Sequence, residues 1–182
     1  MIAGVDEAGR GPLAGPVVAV ACSLKEEISE IKDSKLLSKK KREGLYEILI
    51  KRADYGIGVV ENELIDKINI LNASLLAMRI AVLSLKKKPS LVLVDGPYKI
   101  PDIPYEQIPI IRGDKNELVI GAASIIAKVT RDRIMENYDK IFPFYGFAKH
   151  KGYPTREHIM AIQKYGLSKL HRITFTKHLK RE

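Results

Sequence analysis

Gly4-Val5-Asp6-Glu7-Ala8-Gly9-Arg10-Gly11-Pro12-Leu13-Ala14-Gly15-Pro16-Val17-Val18-Ala19 joins two apolar segments through a turn rich in glycine and proline. Met1 to Val5 reads as a short strand that runs into two adjacent carboxylates, and Val17 to Cys22 as the strand that follows the turn. Neighbouring acids at a strand end repel unless a cation lies between them. Glycines at this density let the backbone turn sharply and approach a ligand closely. A cation beside a bare, donor-rich backbone suits a phosphate or a sugar hydroxyl, so the stretch marks an active site as well as a strand pair.

Outward from this hairpin, Val- and Ile-rich runs bounded by Gly, Pro or Asp predict strands at Ile2–Asp6, Val17–Ser23, Tyr55–Val60, Ser90–Asp95 and Ile108–Arg112. Helical spacing predicts Lys39–Ala53 behind a Ser38 N-cap, Asn72–Lys87, Gly121–Lys140 and Thr155–Tyr165. Asn72–Lys87 is apolar nearly all round and is expected to be deeply buried, with Lys86, Lys87 and Lys88 complementing its C-terminal dipole. Ala122, Ala123 and Ser124 would let their helix lie close on a sheet. The early strands are expected to pair antiparallel and the later, helix-separated ones in parallel, giving a mixed-sheet α/β domain.

The 182 residues suffice for one domain with a substantial core. Cys22 is the only cysteine, which excludes an intramolecular disulfide and a cysteine-based zinc cluster; in its apolar strand it reads as a small buried hydrophobe. No apolar run approaches the roughly 20 residues of a membrane helix, and the N-terminus carries no basic, cleavable leader, so a cytoplasmic protein with no membrane partner is expected. Net charge is +9. Nine basic residues against two acidic ones lie between Phe147 and Glu182, together with all four histidines. Positive charge gathered in one segment points to a polyanion such as nucleic acid, although a solvated surface would have the same composition.

Asp6 is the last residue of the first strand and Glu7 follows it, Asp95 ends the most hydrophobic one, and Asp114 follows the fifth within Arg112-Gly113-Asp114. Neighbours in a regular strand point to opposite faces, so Asp6 and Glu7 share a site only if the strand breaks there, which Gly9 and Gly11 permit. If the strand ends converge, each pair of anions at ~4 Å costs on the order of 4 kcal/mol at an effective dielectric near 20. Hard divalent cations with oxygen ligands relieve this, favouring magnesium or manganese over zinc. Asp132, mid-helix between Arg131 and Arg133, reads as an ion-pair residue and not a ligand. The spacing of His150, His158 and His171 fits no common zinc pattern, which leaves them packing, hydrogen-bonding or phosphate-side roles.

Asp6-Glu7-Ala8-Gly9-Arg10-Gly11 with Leu13-Ala14-Gly15-Pro16, Asp33-Ser34-Lys35, Val94-Asp95-Gly96, Gly121 through Asp132, His150-Lys151-Gly152-Tyr153 and His171-Arg172 together resemble ribonuclease HII, the type 2 ribonuclease H family. The motifs keep that family's order and span nearly the whole chain. The resemblance implies a ribonuclease H-like fold: a mixed five-stranded sheet flanked by helices in a single domain over residues 1–182, with a short helical basic segment from about residue 143 serving the substrate. It implies that Asp6, Glu7, Asp95 and Asp114 are the catalytic, metal-binding carboxylates. It places the backbone of Gly9, Arg10 and Gly11 and the ring and hydroxyl of Tyr153 on the ribose 2′-hydroxyl, and Ser34 and Lys35 on phosphate. Asp33-Ser34 reads equally as a helix entry. Lys128, Lys151 and Arg172 are the further substrate-binding candidates.

The implied activity is cleavage of the RNA strand of RNA–DNA hybrids and incision of duplex DNA 5′ of an embedded ribonucleotide, leaving 3′-hydroxyl and 5′-phosphate ends, as in ribonucleotide excision repair. Two Mg²⁺ or Mn²⁺ ions would act in an in-line displacement. Thr174 stands where many relatives have serine, and the chain is expected to lack the C-terminal helical extension of many relatives. No clamp-binding motif ending in paired aromatics is present, and a monomer is expected. Two rivals share parts of this pattern. A nucleic-acid-binding protein without turnover explains the basic segment but not the acids, and a general nuclease or integrase-like enzyme explains the acids but not the Gly-Arg-Gly loop or Tyr153.

Overall fold

The computed structural model describes residues 1–26 and 38–179. Five strands, β1 (Ile2–Ala8), β2 (Val17–Ser23), β3 (Asp54–Val60), β4 (Leu91–Asp95) and β5 (Glu106–Ile110), form one sheet in the order β3-β2-β1-β4-β5. The pairs β1–β2 and β2–β3 are antiparallel, and β1–β4 and β4–β5 are parallel, as expected. The first strand of the chain is therefore the central one. Pro109 is tolerated because β5 is an edge strand, where a missing N–H leaves no inner ladder broken.

The sheet divides the core in two. Val5 of β1, Val17, Ala19 and Ala21 of β2, and Val92 and Val94 of β4 pack on α3 (Ile70–Leu83). Val20 and Cys22 point the other way, onto α1 (Lys39–Arg52) and α5 (Leu118–Ile141). This alternation is the period-2 signature of a strand buried on both sides. Ser38 caps α1, its hydroxyl accepting from the Lys41 N–H. Alanines 122 and 123 bring α5 onto the sheet as predicted, and Gly4 completes the fit: a Cβ there would collide with the backbone of Val119 and Ile120.

The predicted Asn72–Lys87 helix needs correction at both ends. A separate helix, α2 (Asn62–Ile68), precedes α3, with Asn69 between them at φ 66 and its side chain accepting from the Asn72 N–H. The helix ends at Leu83, so Lys86–Lys88 lie beyond it; the N–H groups of Lys86 and Lys87 donate to the Asp54 carboxylate instead. Its burial is also one-sided, since Ile80 and Leu83 are exposed although apolar. The predicted strand Ile108–Arg112 shifts to Glu106–Ile110. Arg112 takes a left-handed conformation that turns the chain into α4 (Gly113–Asn116). Beyond α5 come α6 (Phe147–His150), α7 (Arg156–Tyr165) and α8 (Ile173–Thr176), with a 3-10 turn at Lys177–Leu179.

Candidate active site

Asp6 and Glu7 do not end a broken strand. β1 continues through Ala8, with Asp6 opposite Val20 and Glu7 opposite Ala19 on β2. What stops is the neighbour on the other side. The last β1–β4 pair is Val5 beside Val94, so Asp6 and Asp95 come next to each other in register as β4 ends. Asp6 is buried toward α5, where Ser124 lowers its pKa, while its Oδ1 accepts from the Glu7 N–H at 2.7 Å. Glu7 lies where a hollow lined by Ser74, Leu75 and Met78 of α3 meets Asp95. The Asp95 carboxylate in turn accepts from the Asp114 N–H at 3.3 Å. Asp6, Glu7 and Asp95 thus share one edge of the sheet, with the Asp114 backbone held beside Asp95.

The electrostatics of this edge are costly. Burial, then the neighbouring Glu7 and Asp95 carboxylates, push the Asp6 pKa up to about 7. Burial raises Glu7 as well, against the opposing pull of Arg10, whose Nη1 donates to Glu7 Oε1 at 3.2 Å. Glu7 Oε2 is buried without a hydrogen-bond partner. Among the described residues no three acidic, imidazole or thiol groups are already gathered around one cation position. The donor set nevertheless fits a hard divalent ion: it is all oxygen, it is anionic, and one buried oxygen lacks a donor. Magnesium commonly takes only one or two carboxylates and completes its shell with water and substrate phosphate.

Beside the acids lies a cleft of about 480 Å³ lined by Glu7, the Gly9–Gly11 loop, Arg42, Ser124, Lys128 and Tyr153. Gly9 has φ +99, and a Cβ on it would collide with Arg131 and with the Pro16 carbonyl, so both backbone and packing require glycine. Two buried arginines hold the loop from behind. Arg131 donates to the carbonyls of Ala14, Pro16 and Lys151. Arg172 donates to those of Gly9, Arg10 and Gly15. The Leu13 N–H donates to Gly152 O and the Gly15 N–H to Leu170 O, tying the loop to the basic C-terminal segment. Tyr153, 40% exposed, sets its ring beside Gly11 and 5.9 Å from the Arg131 guanidinium.

The basic candidates divide. Lys128 lines the cleft and pairs with Asp132 at 2.5 Å, so the expected ion pair of Asp132 is made with a lysine one turn away and not with the flanking arginines. Arg133 pairs with Glu43 and Glu47. Lys151 and Arg172, read as substrate contacts, are turned inward. Lys151 Nζ donates to Glu136 and to the Ala148 carbonyl, and Arg172 has no exposed surface. Ser34 and Lys35 lie outside the described residues. Sequence reasoning missed three contributors: Ser124, Arg42 and the role of Arg131. The first and last were accessible from helical spacing, since Ser124, Ala127, Arg131 and Met135 fall on one stripe of α5 facing the loop.

The histidines form a buried relay of hydrogen bonds. His158 Nδ1 meets the Tyr153 carbonyl at 2.9 Å, His158 Nε2 meets His171 Nε2 at 3.0 Å, and His171 Nδ1 accepts from the Ser168 N–H. His150 stacks on His158 with ring centroids 4.4 Å apart. Burial pushes His158 and His171 down to about 4, so they are neutral packing and hydrogen-bonding groups at neutral pH.

Known proteins resemble this chain in sequence and in fold. Residues 3–178 match the family model of Ribonuclease HII. The chain belongs to the ribonuclease HII family. A ribonuclease HII from Clostridioides difficile (strain 630) is 53% identical over 181 residues, covering 98% of this chain and 71% of the relative. The ribonuclease H2 from Pyrococcus horikoshii OT3 superposes with a TM-score of 0.80 at 30% identity, covering 98% of this chain and 96% of that one. A Bst-RNase HIII solved in complex with Mn²⁺ shares the fold at a TM-score of 0.74 and 17% identity, covering 98% of this chain and 68% of that one. This member of the ribonuclease HII family is accordingly a ribonuclease H-type hydrolase with the expected mixed five-stranded sheet. No helix among its described residues is long and apolar enough to cross a membrane.

Proposed function

We propose that the chain is a divalent-metal-dependent endoribonuclease that cuts the RNA strand of RNA–DNA hybrids and incises duplex DNA on the 5′ side of an embedded ribonucleotide. The observation that carries this reading is the grouping of Asp6, Glu7 and Asp95 at one sheet edge, with the Asp114 N–H on Asp95, beside a cleft walled by the Gly9–Gly11 loop and Tyr153. Asp6, Glu7, Asp95 and Asp114 would hold Mg²⁺ or Mn²⁺, two ions during turnover, which activate water and stabilise the leaving 3′ oxygen.

The protein's own groups supply recognition. In a planar trans peptide the C=O and the following N–H point in opposite directions. Holding the Gly9 and Arg10 carbonyls inward therefore turns the N–H groups of Arg10 and Gly11 away from Arg172. Those donors and the Tyr153 hydroxyl read the ribose 2′-hydroxyl, and a deoxyribose would leave them without a partner. Lys128 and Arg42 at the cleft, with Ser34 and Lys35, draw the phosphates, and Arg10 beside Glu7 adds a cation at the acidic edge. The chain would act as a cytoplasmic monomer and a single domain, with residues from about 143 onward backing the loop. Its products, a 3′-hydroxyl and a 5′-phosphate, suit ribonucleotide excision repair.

The test is nicking of two matched labelled duplexes, one all-DNA and one with a single ribonucleotide, in magnesium, manganese or EDTA. Metal-dependent cutting 5′ of the ribonucleotide alone is expected. Cutting of both duplexes would make the protein a general nuclease, and binding without cutting would make it a nucleic-acid-binding protein.

A further inference from the structure

Arg131 and Arg172 are 1% and 0% exposed, and every hydrogen bond described for them ends on a main-chain carbonyl. Two guanidinium groups so placed repel each other, and desolvation pushes both down, Arg172 to about 9. Buried charge held mainly by neutral acceptors is a poor way to gain stability, since apolar residues of similar volume commonly serve a fold as well or better. Its placement is therefore informative. Arg172 spans three carbonyls, with Nη2 at 2.6 Å from Gly9 O, Nη1 at 3.0 Å from Arg10 O, and both Nε and Nη2 on Gly15 O. Arg131 takes the carbonyls of Ala14 and Pro16 on the adjoining stretch and lies under the Tyr153 ring.

We infer that Arg172, with Arg131 as its counterpart, is a positioning residue for ribose recognition: it fixes the peptide planes of Gly9 and Arg10 so that the N–H groups of Arg10 and Gly11 face the cleft. The inference rests on the proposed reading of the loop as the 2′-hydroxyl sensor. A planar guanidinium can bridge three acceptors from one fixed position. A lysine ammonium keeps the charge but lacks the fork, so it cannot hold all three carbonyls. The cationic pair behind the loop also favours approach of a phosphate from the front.

The experiment compares wild type, R172K and R131K. In EDTA, binding to a DNA duplex carrying one ribonucleotide is measured against the matched all-DNA duplex; in magnesium or manganese, kcat/KM is measured on the former. A wild type that does not nick the ribonucleotide duplex overturns the functional reading itself, independently of the arginines. With wild-type nicking established, R172K is expected to lose at least tenfold in kcat/KM and the preference for the ribonucleotide duplex, while all-DNA affinity stays within twofold. R172A is expected to recover part of the loss on adding millimolar methylguanidine. R172K nicking within twofold of wild type, or equal losses of affinity for both duplexes, overturns the assignment. If R172K does not fold, R131K carries the same comparison; if neither folds, the arginines are structural and the assignment falls.

Discussion

His158 Nε2 and His171 Nε2 are 3.0 Å apart, and only one of them can carry the proton between them. His158 Nδ1 faces the Tyr153 carbonyl and therefore bears a hydrogen, so its Nε2 is the acceptor and His171 Nε2 the donor. That leaves His171 Nδ1 to accept from the Ser168 N–H, as it does. The hydrogen bonds close with both rings neutral. A proton added to either ring breaks a link in a chain that ends at the backbone of Tyr153.

Acid should therefore destabilise the C-terminal segment. Both imidazoles are held near pKa 4 when folded, against about 6.5 in an unfolded chain, so the unfolded state binds more protons between these values. The stability they contribute is present above about pH 6.5 and is lost as pH falls toward 4. Asp6, raised to about 7, acts in the opposite sense across the same range. After discounting for this and for residual solvation, the net loss between pH 7 and 5 should be ~1 kcal/mol, or roughly 2–4 °C in Tm for a domain of this size. Thermal melts of wild type and His158→Gln across this range check it; parallel curves would contradict the neutral pair.

Asp6→Asn removes one anion from a buried acidic edge while keeping its size. Cleavage should fall by at least about 100-fold, near 3 kcal/mol of transition-state stabilisation. In EDTA at pH 8 the variant should melt no lower than wild type, because it relieves repulsion that no cation offsets. Near-normal turnover in magnesium, or a large loss of stability without metal, would show that Asp6 is a structural acid.

Tyr153→Ala should reduce incision at a single ribonucleotide by roughly tenfold or more, about 1.4 kcal/mol at the lower bound, while leaving affinity for all-DNA duplex within about twofold. The ring is exposed and lies beside Gly11, so removing it leaves the buried core in place. Kinetics and a binding titration on the same two duplexes decide the matter, and equal losses in both would remove the sensing role.

Gly9→Ala introduces a Cβ that meets Arg131 and the Pro16 carbonyl at a positive φ. A cost of ~2–4 kcal/mol is expected from strain and displaced hydrogen bonds, a Tm fall of roughly 5–10 °C. Calorimetry on the purified variant tests this, and an unchanged melt would mean that the loop is free to move off the arginines.

Much of this was legible in the residues. Val- and Ile-rich runs bounded by Gly, Pro or Asp gave the strands, and the distance of Asp95 from Asp6 along the chain did not hide that the two lie on neighbouring strands. What could not be read was how Asp6 and Glu7 come to one edge. A strand break was the expected route, whereas β1 runs on to Ala8 and its neighbour β4 ends at Asp95, in register with Asp6. Register is a tertiary quantity and leaves no local mark. Arg172 and Lys151 were misplaced for a related reason: basic residues in a basic segment look alike, and only packing decides which side chain turns to carbonyls inside. The split of α2 from α3 at Asn69 was signalled only by a side chain able to cap from a left-handed position.

The order of the strands also makes the acidic edge a late event of folding. Residues 1–16 supply the central strand and the loop, but β1 gains its parallel neighbour only from residues 91–95, and the loop gains the Arg172 guanidinium only from 162 positions beyond Arg10. Such distant pairing is slow to form and must await its partners. Asp6 and Glu7 are therefore joined to a formed cleft only in the last contacts to be made, and a partly folded chain holds its acids without a site around them.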